Sequence, residues 1–127
     1  MYRSFDDTLI ATRDALAAQG FGVLTEIDMQ ATLQAKLGVD IAPQVILGAC
    51  RPPLAHAALQ IEPSIGLLLP CNVVVRAVDG DRTRVETIDP DIMVSITGNP
   101  GLQAVATDAR TRLTAALHSL QPSPPTC

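Results

Sequence analysis

ILGACRPPLAHAALQIEPSIGLLLPCNVVV, residues 46–75, holds the pattern that decides the fold. Val45 to Ala49 is an apolar run of strand length. Cys71 to Asp79 carries Val73, Val74, Val75 and Val78, the composition of a second strand. Between them Pro52 and Pro53 suit the first turn of a helix, where a missing N–H is tolerated. Leu54, Ala55, Ala58, Leu59 and Ile61 give that helix its apolar side, and Pro63 ends it. Gly66 to Leu69 reads as a buried loop or strand entry ahead of Pro70. Both strands are apolar on both faces, as in a sheet covered on two sides.

Upstream, Ser4 to Gln19 reads as a helix. Ser4 is its cap, acid occupies the first turn, and Phe5, Leu9, Thr12, Arg13 and Leu16 recur at helical spacing before Gly20. Phe21 to Ile27 alternates, with Phe21, Val23, Thr25 and Ile27 expected on one face. Asp28 caps a second helix whose stripe is Met29, Leu33 and Leu37, ended by Gly38. Downstream, Asp79-Gly80-Asp81 is a hairpin turn. Arg82 to Asp89 is a more polar return strand, expected at an edge or facing water. Asp89-Pro90-Asp91 opens a short helical turn through Met93. Asn99-Pro100 starts the longest helix, to about Leu120, with Leu102, Val105, Ala106, Ala109, Leu113, Ala116, Leu117 and Leu120 as its core stripe.

This order predicts an α+β two-layer sandwich, a mostly antiparallel sheet of about four strands with helices packed on one face. Residues 1–121 are expected to form a single domain, and residues 122–127 a disordered proline-rich tail. The helices are too few to cover both faces of the sheet. A second copy of the chain is therefore the expected cover, giving a homodimer through the sheet face or a sheet edge.

Composition narrows the function classes. Apolar residues are 47% of the chain, which argues for a packed core, and aromatics are 2%, which argues against base stacking. A net charge of −4 lacks the footprint of a nucleic-acid binder and disfavours anionic membrane surfaces. No apolar run approaches the roughly 20 residues that span a bilayer. The start of the sequence is acidic and amphipathic rather than export-like. Three cysteines in such a chain suggest free thiols and a cytoplasmic setting.

The segments GFGVLTEIDM (20–29), KLGVD (36–40), ILGACRPPLAHAALQIEPSIGLLLPCNVVVR (46–76), IDPDIM (88–93) and GNPGL (98–102) resemble, in order, a bacterial and archaeal family known as domain of unknown function 302. The resemblance implies a small α+β fold with an antiparallel-rich sheet, usually dimeric, and no established activity. Members usually begin with a strand, whereas only Met1, Tyr2 and Arg3 precede Ser4 here. The first strand is expected to be absent or very short, and an unpaired edge favours association.

Chemistry, if any, is expected where the two strands of the central segment end. Cys50 leaves one strand and Cys71 enters the next, so neighbouring antiparallel strands would bring both sulfurs to one end of the sheet. His56 lies in the intervening helix, whose positive end points back toward Cys50 and would favour a thiolate. Two readings stand: a thiol redox pair or soft-metal site for copper(I) or zinc on Cys50, His56 and Cys71, or small buried hydrophobes with an ordinary histidine.

Other candidates have plainer readings beside them. Glu26 and Asp28 fall on one face and could act as an acid pair, but Asp28 is also a cap. Asp89 and Asp91 flank a turn proline. Arg51 and Arg76 are the nearby cations, Arg76 on the face of Val74 and Val78. Dense apolar patterning without a catalytic motif points first to a non-enzymatic homodimer binding a small ligand or partner, lined by Cys50, Pro53, His56, Cys71 and Asn72. The thiol or metal function is the alternative, and an enzyme using Glu26 or Asp28 a third.

Overall fold

A computed structural model describes residues 4–120. The sequence-expected tail and the residues before Ser4 lie outside that range. Five helices and four strands follow one another: α1 (Phe5–Ala18), β1 (Gly22–Asp28), α2 (Met29–Leu37), β2 (Gln44–Cys50), α3 (Pro52–Ile61), β3 (Cys71–Ala77), β4 (Thr83–Thr87), α4 (Ile92–Thr97) and α5 (Gln103–Leu120). The sheet has the order β1-β2-β3-β4, and every neighbouring pair is antiparallel. α1 and α5 pack together on one face, in the α+β arrangement that the sequence pattern predicts.

Local chemistry sets the boundaries. Ser4 Oγ accepts from the Asp7 N–H (3.2 Å) and Asp28 Oδ1 from the Ala31 N–H (2.9 Å), so both caps form. Gly38 ends α2 at φ 66°, the left-handed conformation glycine adopts most cheaply. Asn99 caps a 3₁₀ turn, Pro100–Leu102, and α5 begins only after it. Two expectations are corrected here. Gly66–Leu69 is not a buried entry: Pro63–Leu67 is a 3₁₀ turn that buries Ile65 and leaves Leu67 88% exposed. The turn after Pro90 continues as α4 to Thr97, past Met93.

The main core lies between the sheet and α1 with α5. Cross-strand pairs Val45–Val75, Leu47–Val73 and Ala49–Cys71 line the inner face and meet Leu16, Leu113, Ala116 and Leu120. A second cluster joins Ala58, Ile65, Met93, Leu102, Val105 and Ala106 beneath α3. The expected α5 stripe is buried throughout except for half-buried Leu117.

β1 departs from simple alternation. A bulge between Val23 and Thr25 inserts Leu24, 65% exposed, and reverses the parity of the strand. Val23 stays with the core, whereas Thr25 and Ile27 pair with Gly48 and Ile46 of the outer face. The expected single face of Phe21, Val23, Thr25 and Ile27 is thus split. The α2 stripe of Met29, Leu33 and Leu37 buries no residue.

α1 also differs from its expected stripe. It turns Thr8, Thr12, Ala15 and Leu16 inward, while Arg13 reaches Glu26 across the sheet edge at 2.7 Å. Thr12 Oγ1 donates to the Thr8 carbonyl at 2.7 Å, but Thr8 Oγ1 is buried without a partner. Exchanging that hydroxyl for a methyl removes an unmet desolvation cost. Thr8→Val is expected to raise stability by about 1 kcal/mol, read as a higher urea midpoint at unchanged slope. A lower midpoint would mean that the hydroxyl is satisfied.

Candidate functional site

Antiparallel pairing of β2 with β3 brings the two cysteines to one end of the sheet, as the sequence suggests. Cys71 stands opposite Ala49, the residue before Cys50. Both line one small cavity beneath α3, together with Arg51, Leu54 and Met93. Its volume is about 20 Å³, room for a single water-sized body. The wall is almost entirely apolar, Phe21, Ala58 and Leu69 included.

The remaining expected site residues do not join them. Asn72 is exposed on the opposite face of β3, where Asn72, Val74, Glu86, Thr87 and Ile88 border a shallow hollow of about 290 Å³. Pro53 and His56 are exposed on α3, away from the cavity wall. Among the described residues, no three or more His, Cys, Asp or Glu side chains stand together as a metal site. The Cys50–His56–Cys71 triad is therefore not assembled in this geometry. About one turn of helix separates the histidine from the strand end in sequence, but its rotation on α3 carries it outward.

The thiol chemistry differs from the expectation too. Burial pushes the Cys50 thiol above its ordinary value. Burial raises Cys71 as well, and the neighbouring Cys50 adds to it. The positive end of α3 does not rescue the Cys50 thiolate. Pro52 and Pro53 fill its first two positions, and neither has an N–H to offer a sulfur anion. In folded protein carrying Cys127→Ser, an aromatic disulfide reagent is expected to react with Cys50 more slowly than with the urea-unfolded chain, and with Cys71 more slowly still. A Cys50 faster than in the unfolded chain would contradict this.

The acids are engaged in structure. Glu26 pairs with Arg13, and Asp28 caps α2. Asp89 Oδ1 accepts from the Asp91 N–H (3.0 Å), and Asp91 pairs with Arg110 (2.9 Å). Arg76 Nε meets Glu86 Oε1 at 2.6 Å on the outer face, and this hydrogen bond holds the Glu86 carboxyl below its ordinary range. Arg51 is different. Its Nε is buried without a hydrogen-bond partner, packed over Gly20. A Cβ at Gly20 would stand 3.1 Å from that nitrogen, and Gly20 already holds φ 82°. The sequence marked Arg51 only as a nearby cation; Met93, far along the chain, gave no spacing signal at all.

The outer face of the sheet carries no helical cover over its centre. Ile27, Ile46 and Val74 lie side by side across β1, β2 and β3, and Glu86 of β4 completes the row. Ile27 is 45% exposed. Gly48 belongs to the next row, between Thr25 and Asn72, and is buried because Thr25 and Pro70 lie over it.

The sequence model of a family described as domain of unknown function DUF302 matches residues 1–120. A solved structure described as uncharacterized conserved protein DUF302 from Bacillus stearothermophilus is similar to the chain: 31% identity, TM-score 0.87, 95% of this chain and 94% of that one covered. No curated protein matches.

Proposed function

Since the chain belongs to the DUF302 family, whose description assigns no activity, we propose that it is a non-enzymatic homodimeric module that holds a small ligand at the Cys50–Cys71 end of its sheet. The observation that carries the dimer is the aligned row Ile27–Ile46–Val74 on the uncovered face. A self-complementary patch of this kind suits a two-fold interface, in which the same side chains meet their own copies. Beside the row, Arg76 and Glu86 neutralise each other, and Arg84, opposite Arg76, leaves one positive charge at the β4 edge.

Size sets the expected strength. Four strands of up to seven residues, at about 4.8 Å spacing and 3.3 Å rise, present roughly 450 Å² before side-chain relief. A standard interface takes about 800 Å² from each partner. Leu24, Leu37 and Val39, all exposed, are the apolar residues available to extend it. The interface belongs to the weaker class, so dimerisation should vary with concentration. Light scattering over a dilution series tests it.

The ligand arm rests on the small apolar cavity and the orphaned Arg51 Nε beside it. Its volume favours a very small ligand over an organic one. No helix of the described residues is long and apolar enough to cross a membrane. The acidic balance supports no nucleic-acid partner, and the free Cys50 and Cys71 thiols suit the reducing cytoplasm.

A further inference from the structure

Three sulfur-bearing residues line the cavity, because α4 brings Met93 up to Cys50 and Cys71. Met93 is 3% exposed and Cys71 9%, while Cys50 sits half-exposed at the strand end. Arg51 is the one charged residue in the wall, and its buried Nε lacks an acceptor. The space fits a single water-sized body.

The geometry points to a site for one soft monovalent cation, of the copper(I) or silver(I) class, held by the sulfurs of Cys50 and Cys71 with the Met93 thioether as third donor. This rests on the small-ligand reading above and names its ligand. Thiolate and thioether donors select soft ions. Zinc takes four donors, usually including nitrogen or further thiolates, and no His, Asp or Glu lines this wall. On binding, the two S–H bonds break and their protons pass to solvent. Two metal–sulfur bonds form, and the metal keeps its oxidation state. Two thiolates and a monovalent cation sum to one negative charge, which the Arg51 guanidinium balances. Its Nε gains in a sulfur the acceptor it now lacks. An apolar wall accepts such a neutral cluster far more readily than a bare charge.

Full-length protein carrying Cys127→Ser, so that only these two thiols remain, should be titrated with silver(I) and copper(I) without oxygen. A chromogenic chelator competes for the ion, and the light-scattering mass is recorded in the same samples. One ion per chain is expected to survive gel filtration, undisplaced by zinc. Cys71→Ser should abolish retention. Met93→Leu, which keeps the packing but removes the third donor, and Arg51→Gln, which removes the balancing charge, should each weaken binding by about 10-fold. Failure to retain the ion, or undiminished affinity in both Cys71→Ser and Met93→Leu, overturns the inference. If the ion is not held but the mass remains that of two chains, the cation falls and the dimer stands. A single-chain mass removes the dimer whatever the metal does.

Discussion

Gly48→Val is expected to destabilise the fold by about 3 kcal/mol or more, and Gly48→Ala by about 2 kcal/mol. A Cβ at Gly48 would collide with Thr25 Oγ1 and stand 2.8 Å from Pro70 Cγ. Neither neighbour gives way cheaply. Thr25 is a β-branched residue in a paired strand, and Pro70 is a ring directly before β3. Gly48 cannot retreat either, because β2 is hydrogen-bonded to strands on both sides. Ordinary strand propensity points the opposite way, since glycine inside a strand costs roughly 0.5–1 kcal/mol relative to alanine. The sign of Gly48→Ala therefore decides whether the collision dominates. Chemical denaturation reads it. Thr25→Ala should recover part of the loss, because one of the two obstructing atoms is gone. A Gly48→Ala protein as stable as the parent would show that Thr25 and Pro70 do not close over β2. Against a total stability of about 5–15 kcal/mol, the valine variant loses a large share of its margin.

The second large effect belongs to the outer face. Val74→Lys is expected to leave the fold intact and to weaken self-association by at least about 100-fold, equivalent to about 2.7 kcal/mol. Val74 lies at the middle of the row, beside Ile46 and directly across from Glu86. In a single chain a lysine there has a carboxylate opposite it and water above it. In the dimer it would be desolvated against an apolar partner face and brought near its own symmetry copy. Circular dichroism and the denaturation midpoint should thus stay near the parent values while the dimer dissociates. Leu47→Lys, one residue further along β2, would instead unfold the chain, because Leu47 faces the core and is fully buried.

Most of the architecture can be read from caps, breakers and strand composition. Ser4, Asp28, Gly38 and Asn99 mark element ends in the sequence and do so in the fold. The polar return strand predicted at an edge is β4, the last in the sheet. What stayed hidden has identifiable causes. The bulge at Leu24 leaves the alternation of side chains unbroken in the sequence, so nothing there announces that Thr25 and Ile27 change faces. Thr8 and Thr12 look polar, yet a threonine that fills its hydrogen bond within its own helix, as Thr12 does, fits a core. The convergence of Cys50 and Cys71 follows from neighbouring antiparallel strands and could be foreseen. The outward turn of His56 and the arrival of Met93 depend on how α3 and α4 roll against the sheet, which no spacing records. The third functional idea, an acid pair at Glu26 and Asp28, loses its support for a related reason, since each carboxylate already has a structural partner.

Light scattering on the full chain and on Val74→Lys across a wide concentration range bears most directly on the dimer through the open sheet face. The parent should move from the 13.4 kDa of one chain toward twice that mass as concentration rises, while Val74→Lys stays at the single-chain mass throughout. A parent that remains at the single-chain mass at every concentration, or a Val74→Lys protein that dimerises as the parent does, would contradict it.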